Sequence, residues 1–230
     1  MVPLLTIEHL HKIYNRHQPD EVTALENISL QIFSGEVVAL TGPSGSGKTT
    51  LLSLLGCMSR PTSGSIQLRD RTVSKLPERF LAQIRRETFG FVFQQYNLLR
   101  DVNVLENVML PLYPSKQSFS EMKKAATAVL ERFALAEMMR KKVKQLSGGE
   151  QQRVAIARAL IANPDIIIAD EPTAHLDSDL SQNLLHILTD LNADGKTIII
   201  ATHDPSIYQA SLIQRRVDLR HGQVTEGKSR

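Results

Sequence analysis

Glu36-Val37-Val38-Ala39-Leu40-Thr41-Gly42-Pro43-Ser44-Gly45-Ser46-Gly47-Lys48-Thr49-Thr50 decides the fold. Its first third is an apolar run of strand length. The residues after it, Leu51-Leu52-Ser53-Leu54-Leu55, open an apolar helix. Between the two, Gly42, Gly47, Lys48 and Thr49 stand in the fixed places of G-x-x-x-x-G-K-[ST], in the strand–loop–helix context of a P-loop. Glycines let backbone N–H groups curl around a phosphate without a Cβ in the way, and the helix N-terminus adds partial positive charge. The pattern predicts a phosphate cradle built from Gly42, Pro43, Ser44, Gly45, Ser46, Gly47, Lys48, Thr49 and Thr50. Lys48 is expected to reach the β- and γ-phosphates and the Thr49 hydroxyl to bind Mg2+. The implied ligand is a nucleoside triphosphate.

Outward from this loop, residues 4–9 and 24–32 read as strands with period-two character, separated by the polar stretch 15–20. Pro61-Thr62-Ser63-Gly64 is a turn before a short strand at 65–68. Residues 77–86 look helical, and Phe89-Gly90-Phe91-Val92-Phe93 is a strand ending at Gln94. From about Tyr96 to Asn163 the signals become helical. Ser118 or Ser120 can cap a helix carrying Met122, Ala125, Ala126, Val129, Leu130 and Phe133, and residues 147–162 form another, stopped by Asn163-Pro164. Strand patterns return at 166–169 and 197–201, with a helix over 178–191 between them. Near-continuous aliphatic runs suit parallel strands covered on both faces. The reading is an α/β P-loop core, residues 1–95 and 164–230, interrupted by a helical insert over 96–163. The last residues, Gly227-Lys228-Ser229-Arg230, are expected to fray.

The composition sets limits. The chain has 230 residues, 42% hydrophobic and 22% charged, which is ordinary for a globular protein with an ample core. A net charge of +3 does not argue for nucleic acid, and with no block of five or six basic residues, no Trp and only 5% aromatics the expectation is no nucleic-acid partner. The single cysteine, Cys57, excludes an internal disulfide and a multi-Cys metal site, and its place in the apolar stretch 51–58 reads as inert burial on a helix. No basic-then-apolar leader and no apolar run near 18 residues occur, so the expectation is a soluble, cytoplasmic chain.

Two further segments carry chemistry. Ile166-Ile167-Ile168-Ala169-Asp170-Glu171 is an aliphatic strand ending in adjacent carboxylates, with Asp170 fitted to hold Mg2+. Because side chains alternate along an extended chain, Glu171 is expected to point elsewhere and to address a water. Leu146-Ser147-Gly148-Gly149-Glu150-Gln151 scores as a capping box, Ser147 with Glu150 three residues on. It also reads as a second anion-binding helix tip, where Gly148 and Gly149 permit close approach of a phosphate.

With those residues in place the sequence resembles the nucleotide-binding subunit of an ATP-binding cassette (ABC) transporter over essentially its whole length. Leu146–Gln151 is similar to that family's LSGGQ signature in its LSGGE form. The resemblance implies a RecA-like P-loop core with an antiparallel β subdomain and a helical insert bearing the signature. It also implies site roles. Tyr14 matches the aromatic that stacks on adenine. Gln94 matches the glutamine that touches metal and attacking water, with Gln95 beside it as a competitor for the role. Glu171 matches the general base, His203 the histidine that senses the γ-phosphate, and Asp177 the aspartate of the subunit-contact loop. Ala174-His175-Leu176-Asp177 departs from the family's usual Ser-Ala-Leu-Asp or Gly-Ala-Leu-Asp. ATP and Mg2+ are the implied cofactors. A head-to-tail homodimer is implied, with ATP between the Gly42–Thr50 loop of one copy and Ser147, Gly148 and Gly149 of the other. The implied partner is an integral membrane transporter subunit, which would hold the protein at the inner face of the cell membrane.

Local stretches, Gly56-Cys57-Met58, Arg60-Pro61-Thr62-Ser63-Gly64, the run from Gly90 to Leu99 and Leu105-Glu106-Asn107-Val108, resemble the lipoprotein-release and macrolide-export branch. That branch often has Pro where Arg100 stands. The expected role is therefore an ATPase driving export or extraction of an amphiphile. A non-transport ABC ATPase acting on a membrane partner, as in cell-division signalling, is the alternative the residues leave open.

Overall fold

The computed structural model describes residues 2–174 and 176–225. His175 and the 227–230 tail, for which a departure and fraying were expected, lie outside the described residues. Strands β1 (Pro3–Tyr14) and β2 (Val22–Phe33) pair antiparallel, β4 (Ser63–Leu68) joins the other edge of β1, and β5 (Arg71–Thr72) adds to β4. The result is a four-stranded sheet in the order β2-β1-β4-β5. The larger sheet has six strands in the order β10-β9-β3-β8-β7-β6. These are β3 (Val37–Thr41), β6 (Phe89–Val92), β7 (Ile166–Asp170), β8 (Thr197–Ala201), β9 (Arg215–Arg220) and β10 (Gln223–Thr225). All its pairings are parallel except that of β10 with β9.

Alternation explains the aliphatic runs. Val37, Ala39, Ile167, Ala169, Ile198 and Ile200 face one core, shared with α3 (Val104–Met109), α4 (Phe119–Arg132), α5 (Gly148–Leu160) and α6 (Ser178–Ala193). Val38, Leu40, Ile166, Ile168, Ile199 and Ala201 face a second core, shared with α1 (Lys48–Leu55), α2 (Glu78–Thr88) and the small sheet. A sheet buried on both faces has no solvated side to mark with polar residues, hence the unbroken apolar strands. A short helix α7 (Pro205–Tyr208) follows β8. Among the described residues, no helix is long and apolar enough to cross a membrane.

Several expectations are adjusted. β1 and β2 are longer than the period-two reading because left-handed residues His9 (φ 46°) and Asn27 (φ 50°) accompany register shifts that break the alternation. α1 begins at Lys48 and ends at Leu55, so Cys57 lies beyond the helix rather than on it, in a turn with φ 58°. It is buried all the same, and that burial pushes its thiol up to about 11. Of the two capping candidates, Ser118 holds the role: its side chain accepts from Glu121 N while Glu121 reaches back to the Ser118 N–H.

Candidate functional site

The site lies at the carboxyl ends of the parallel strands. β3 delivers the glycine loop, β7 the carboxylate pair and β8 the histidine, and because the three are neighbours their ends converge. Two glycines are obligatory for this approach. Gly42 has φ 141°, and a Cβ there would lie 2.1 Å from the Leu219 carbonyl oxygen of β9. Gly47 has φ 103°, and a Cβ there would lie 2.7 Å from the Ala24 carbonyl oxygen of β2. The end of β3 is fixed further by Thr41, whose hydroxyl donates to Asp218, while Arg216 Nε donates to both at 3.0 and 2.9 Å. Burial raises the Asp218 carboxyl, but the Thr41 and Arg216 hydrogen bonds outweigh it and hold the group below the usual carboxylate range.

Lys48 is only 7% exposed. Its Nζ donates to the carbonyl oxygens of Gly42 (2.9 Å) and Pro43 (3.1 Å) and stands 3.8 Å from Glu171 Oε1. Thr49 Oγ1 donates to Asp170 Oδ1 at 3.1 Å. Burial raises the Asp170 carboxyl above its ordinary value, and the Thr49 hydrogen bond partly offsets this. A desolvated carboxylate beside a hydroxyl is a donor pair that a hard cation would satisfy, since the cation supplies the charge that the surroundings withhold. Ser46 Oγ, buried in the same loop, has no partner among the described residues, as expected of a cradle shaped for a ligand's oxygens.

Glu171 leaves β7 in a left-handed conformation, φ 45°, with its N–H on the Ala201 carbonyl oxygen at 2.8 Å. This turn, rather than alternation along an extended chain, swings its side chain away from Asp170. A non-glycine residue held there at a site of converging charges is the kind of strain that a fold retains for positioning. Its Oε1 lies 2.8 Å from His203 Nδ1, and its Oε2 accepts the His203 N–H at 3.3 Å. The loop residues from Pro43 to Thr50, Gln94, Glu171 and His203 line one hollow of about 470 Å³, joined by Val22, Thr23 and Ala24. Tyr14 does not line it, but pairs across the sheet with Val22, which does; its half-exposed ring has Lys12 Nζ 4.8 Å from the centroid.

Ser147, Gly148, Gly149 and Asp177 are elsewhere. They line a separate hollow of about 670 Å³, together with Arg153 and Leu180. Ser147 caps α5 through a closed capping box: its Oγ accepts from Glu150 N at 3.3 Å and its own N–H donates to Glu150 Oε2 at 2.7 Å. That backbone hydrogen bond holds the Glu150 carboxyl below its usual range. Asp177 caps α6 by accepting from Leu180 N at 2.8 Å. The tip of α5 is open at Gly148, where an added Cβ would meet nothing within 4 Å.

Sequence reasoning overlooked the supports of the segment after Gln94. Arg158 of α5 donates to the carbonyl oxygens of Asn97 (2.5 Å) and Tyr96 (2.6 Å). Asn107 of α3, fully buried, accepts from Leu99 N and donates to the carbonyls of Leu99, Val102 and Asn103. The Arg158 contacts join residues 61 and 62 positions apart, while those of Asn107 stay within 8 positions of it; neither set has a sequence signature of its own, although Asn107 lies in a stretch singled out by resemblance.

Residues 25–174 match the model of a family described as ABC transporter. The macrolide export ATP-binding/permease protein MacB of Hyphomonas neptunium is 46% identical over 96% of the chain, which spans 34% of that relative. The chain thus covers about a third of the length of the first such curated relatives. The uncharacterized ABC transporter ATP-binding protein YvrO of Bacillus subtilis is 42% identical over 96% of this chain and 95% of its own length. Among solved structures, the dimeric post-hydrolysis state of the ATP-binding cassette MJ0796 bound to ADP and Pi superposes with a TM-score of 0.88 at 40% identity, covering 98% of both chains.

Proposed function

This chain belongs to the ABC transporter family, and from that premise we propose that it is the ATP-hydrolysing unit of an exporter, two copies of which close head to tail on ATP to drive a membrane permease. The observation that carries the reading is the separation of two half-sites on one chain. Lys48, Thr49, Glu171, His203 and the glycine loop line one hollow, with Asp170 held to its edge by the Thr49 hydroxyl, and the open helix tip at Ser147–Gly149 lines another. A triphosphate seated in the first would leave its γ-phosphate exposed to the second hollow of another copy. ATP then bridges surfaces that otherwise have little reason to adhere, and loss of the γ-phosphate removes the bridge.

In this account the loop N–H groups and Lys48 hold the phosphates, and the ring of Tyr14, at the Val22 edge of the hollow, stacks on the base. Thr49 and Asp170, with Gln94 beside them, would hold Mg2+, which neutralises phosphate charge. Glu171 accepts a proton from the attacking water. His203, hydrogen-bonded to Glu171, orients that carboxylate and steadies charge on the transferring phosphoryl group. Asp177, in the second hollow, meets the opposing copy. The cargo class follows the macrolide-export relatives, an amphiphile handled by the permease, and the protein works from the inner face of the membrane. The test is Glu171→Gln, which keeps the shape and removes the base. Turnover is expected to fall by about 100-fold or more, the range of a lost general base, while Mg-ATP binding stays at the wild-type level. Wild-type steady-state hydrolysis by this variant overturns the assignment.

A further inference from the structure

The segment that follows Gln94 has an unusual backbone. Tyr96 and Asn97 are consecutive non-glycine residues in the left-handed region, φ 58° and 48°. Such a pair is unfavourable for L-residues and persists only where the surroundings hold it. The local hydrogen bonds are few: Tyr96 N donates to the Phe93 carbonyl and Asn97 N to that of Gln95. What fixes the turn comes from another element. The guanidinium of Arg158 sends one amino group to the Tyr96 carbonyl and the other to that of Asn97. A planar fork on two successive carbonyls constrains orientation as well as distance, which an ammonium cannot do. Burial lowers the Arg158 pKa, and among the described residues no carboxylate compensates the charge. A desolvated cation spent on two backbone carbonyls is a costly way to close a loop, and it calls for a reason.

The reason lies in what the arginine joins. Arg158 is on α5, roughly 16 Å along the axis from Ser147 at 1.5 Å per residue. α5 is a single helix with a closed capping box at its tip, and Val154, Ile156, Ala157, Ala159 and Leu160 anchor it in the core below. The turn it grips is two residues beyond Gln94, which lines the nucleotide hollow. Gly90, just before, is the other close contact: a Cβ there would lie 2.4 Å from the Ala159 carbonyl oxygen, so β6 and α5 touch at backbone distance beside the clamp.

We propose that Arg158 is a positioning residue for Gln94, locking the Gln94 turn to the helix that presents the Ser147 tip, so that the placement of Gln94 in one nucleotide hollow follows the placement of the signature helix in the other. This rests on the role given to Gln94 in the proposed function. It adds a residue that touches neither nucleotide nor metal and acts through backbone carbonyls. The two half-sites of one chain are thereby mechanically joined: engagement of the α5 tip by the opposing copy's nucleotide is felt at Gln94 of the same chain.

A double-mutant cycle tests it, with Arg158→Lys and Gln94→Ala made singly and together. Arg158→Lys keeps charge and most of the volume but loses the fork. Expected are a 5- to 20-fold loss of kcat with the nucleotide KM within about twofold of wild type, an equal or larger kcat loss in Gln94→Ala, and no further loss in the double variant; such non-additivity marks residues acting as one unit. A helix-stability role alone would give additive losses. Asn97→Val, a β-branched residue that resists positive φ, disfavours the same turn from its other side and serves if Arg158→Lys fails to fold; the same kcat loss, absorbed in the Gln94→Ala background, is expected. Wild-type kcat in the folded Arg158→Lys protein, or additive losses in the cycle, overturns the proposal while leaving Gln94 in its role. Wild-type turnover in Gln94→Ala alone overturns the role of Gln94 and the proposal with it.

Discussion

Lys48 shows how one side chain can be both satisfied and reserved. Its ammonium is nearly buried and held by two carbonyls of its own loop, with Glu171 at 3.8 Å as the nearest carboxylate oxygen. Phosphate oxygens are stronger acceptors than carbonyls, so the group is in place to exchange one partner for another. Lys48→Ala is expected to raise the equilibrium Kd for Mg-ATP by about 10- to 100-fold, the worth of a charged hydrogen bond. An unchanged Kd, read by titration calorimetry, contradicts the cradle. Cys57 gives a prediction of another kind. With its pKa pushed to about 11, only about 0.1% of the folded protein carries the thiolate at pH 8. Alkylation by iodoacetamide should therefore be slow in the native protein and rise sharply on unfolding. Equal rates in both states contradict its burial.

At the scale of elements, sequence legibility followed how local each cause is. The glycine loop, the aliphatic strands and the capped helices have causes within about ten residues, and they were readable. The capping box Ser118-x-x-Glu121 was present in the sequence and decides between Ser118 and Ser120, since Glu121 stands at the third helical position from Ser118 alone. β9 and β10 were missed because Arg215, Arg216, Asp218 and Arg220 hide an inward pair, Val217 and Leu219, that is visible only as alternation within a charged stretch. The clamp of Arg158 and the knot of Asn107 were illegible for a stronger reason: their partners are backbone carbonyls, which every sequence supplies. Asn107→Ala strips four hydrogen bonds from a fully buried site and leaves the Leu99 N–H without its acceptor, while the carbonyls of Leu99, Val102 and Asn103 keep their backbone donors. It should cost about 2–3 kcal/mol, and a thermal midpoint within a degree of wild type would show the knot to be idle.

At the scale of the whole molecule, the proposed site is divided: its two halves line separate hollows of one chain. The most direct measurement uses Gly148→Asp in a Glu171→Gln background. An added Cβ at position 148 meets nothing within 4 Å, and an aspartate in the first turn of a helix is favoured, so the single copy should fold and bind ATP as before. The new carboxylate would, however, face the γ-phosphate carried by the opposing copy. Sedimentation in saturating Mg-ATP should give twice the 25.7 kDa chain mass for Glu171→Gln and the single mass for Glu171→Gln with Gly148→Asp, at equal nucleotide occupancy. A doubled mass in both proteins, or a single mass for Glu171→Gln at full ATP occupancy, contradicts the account.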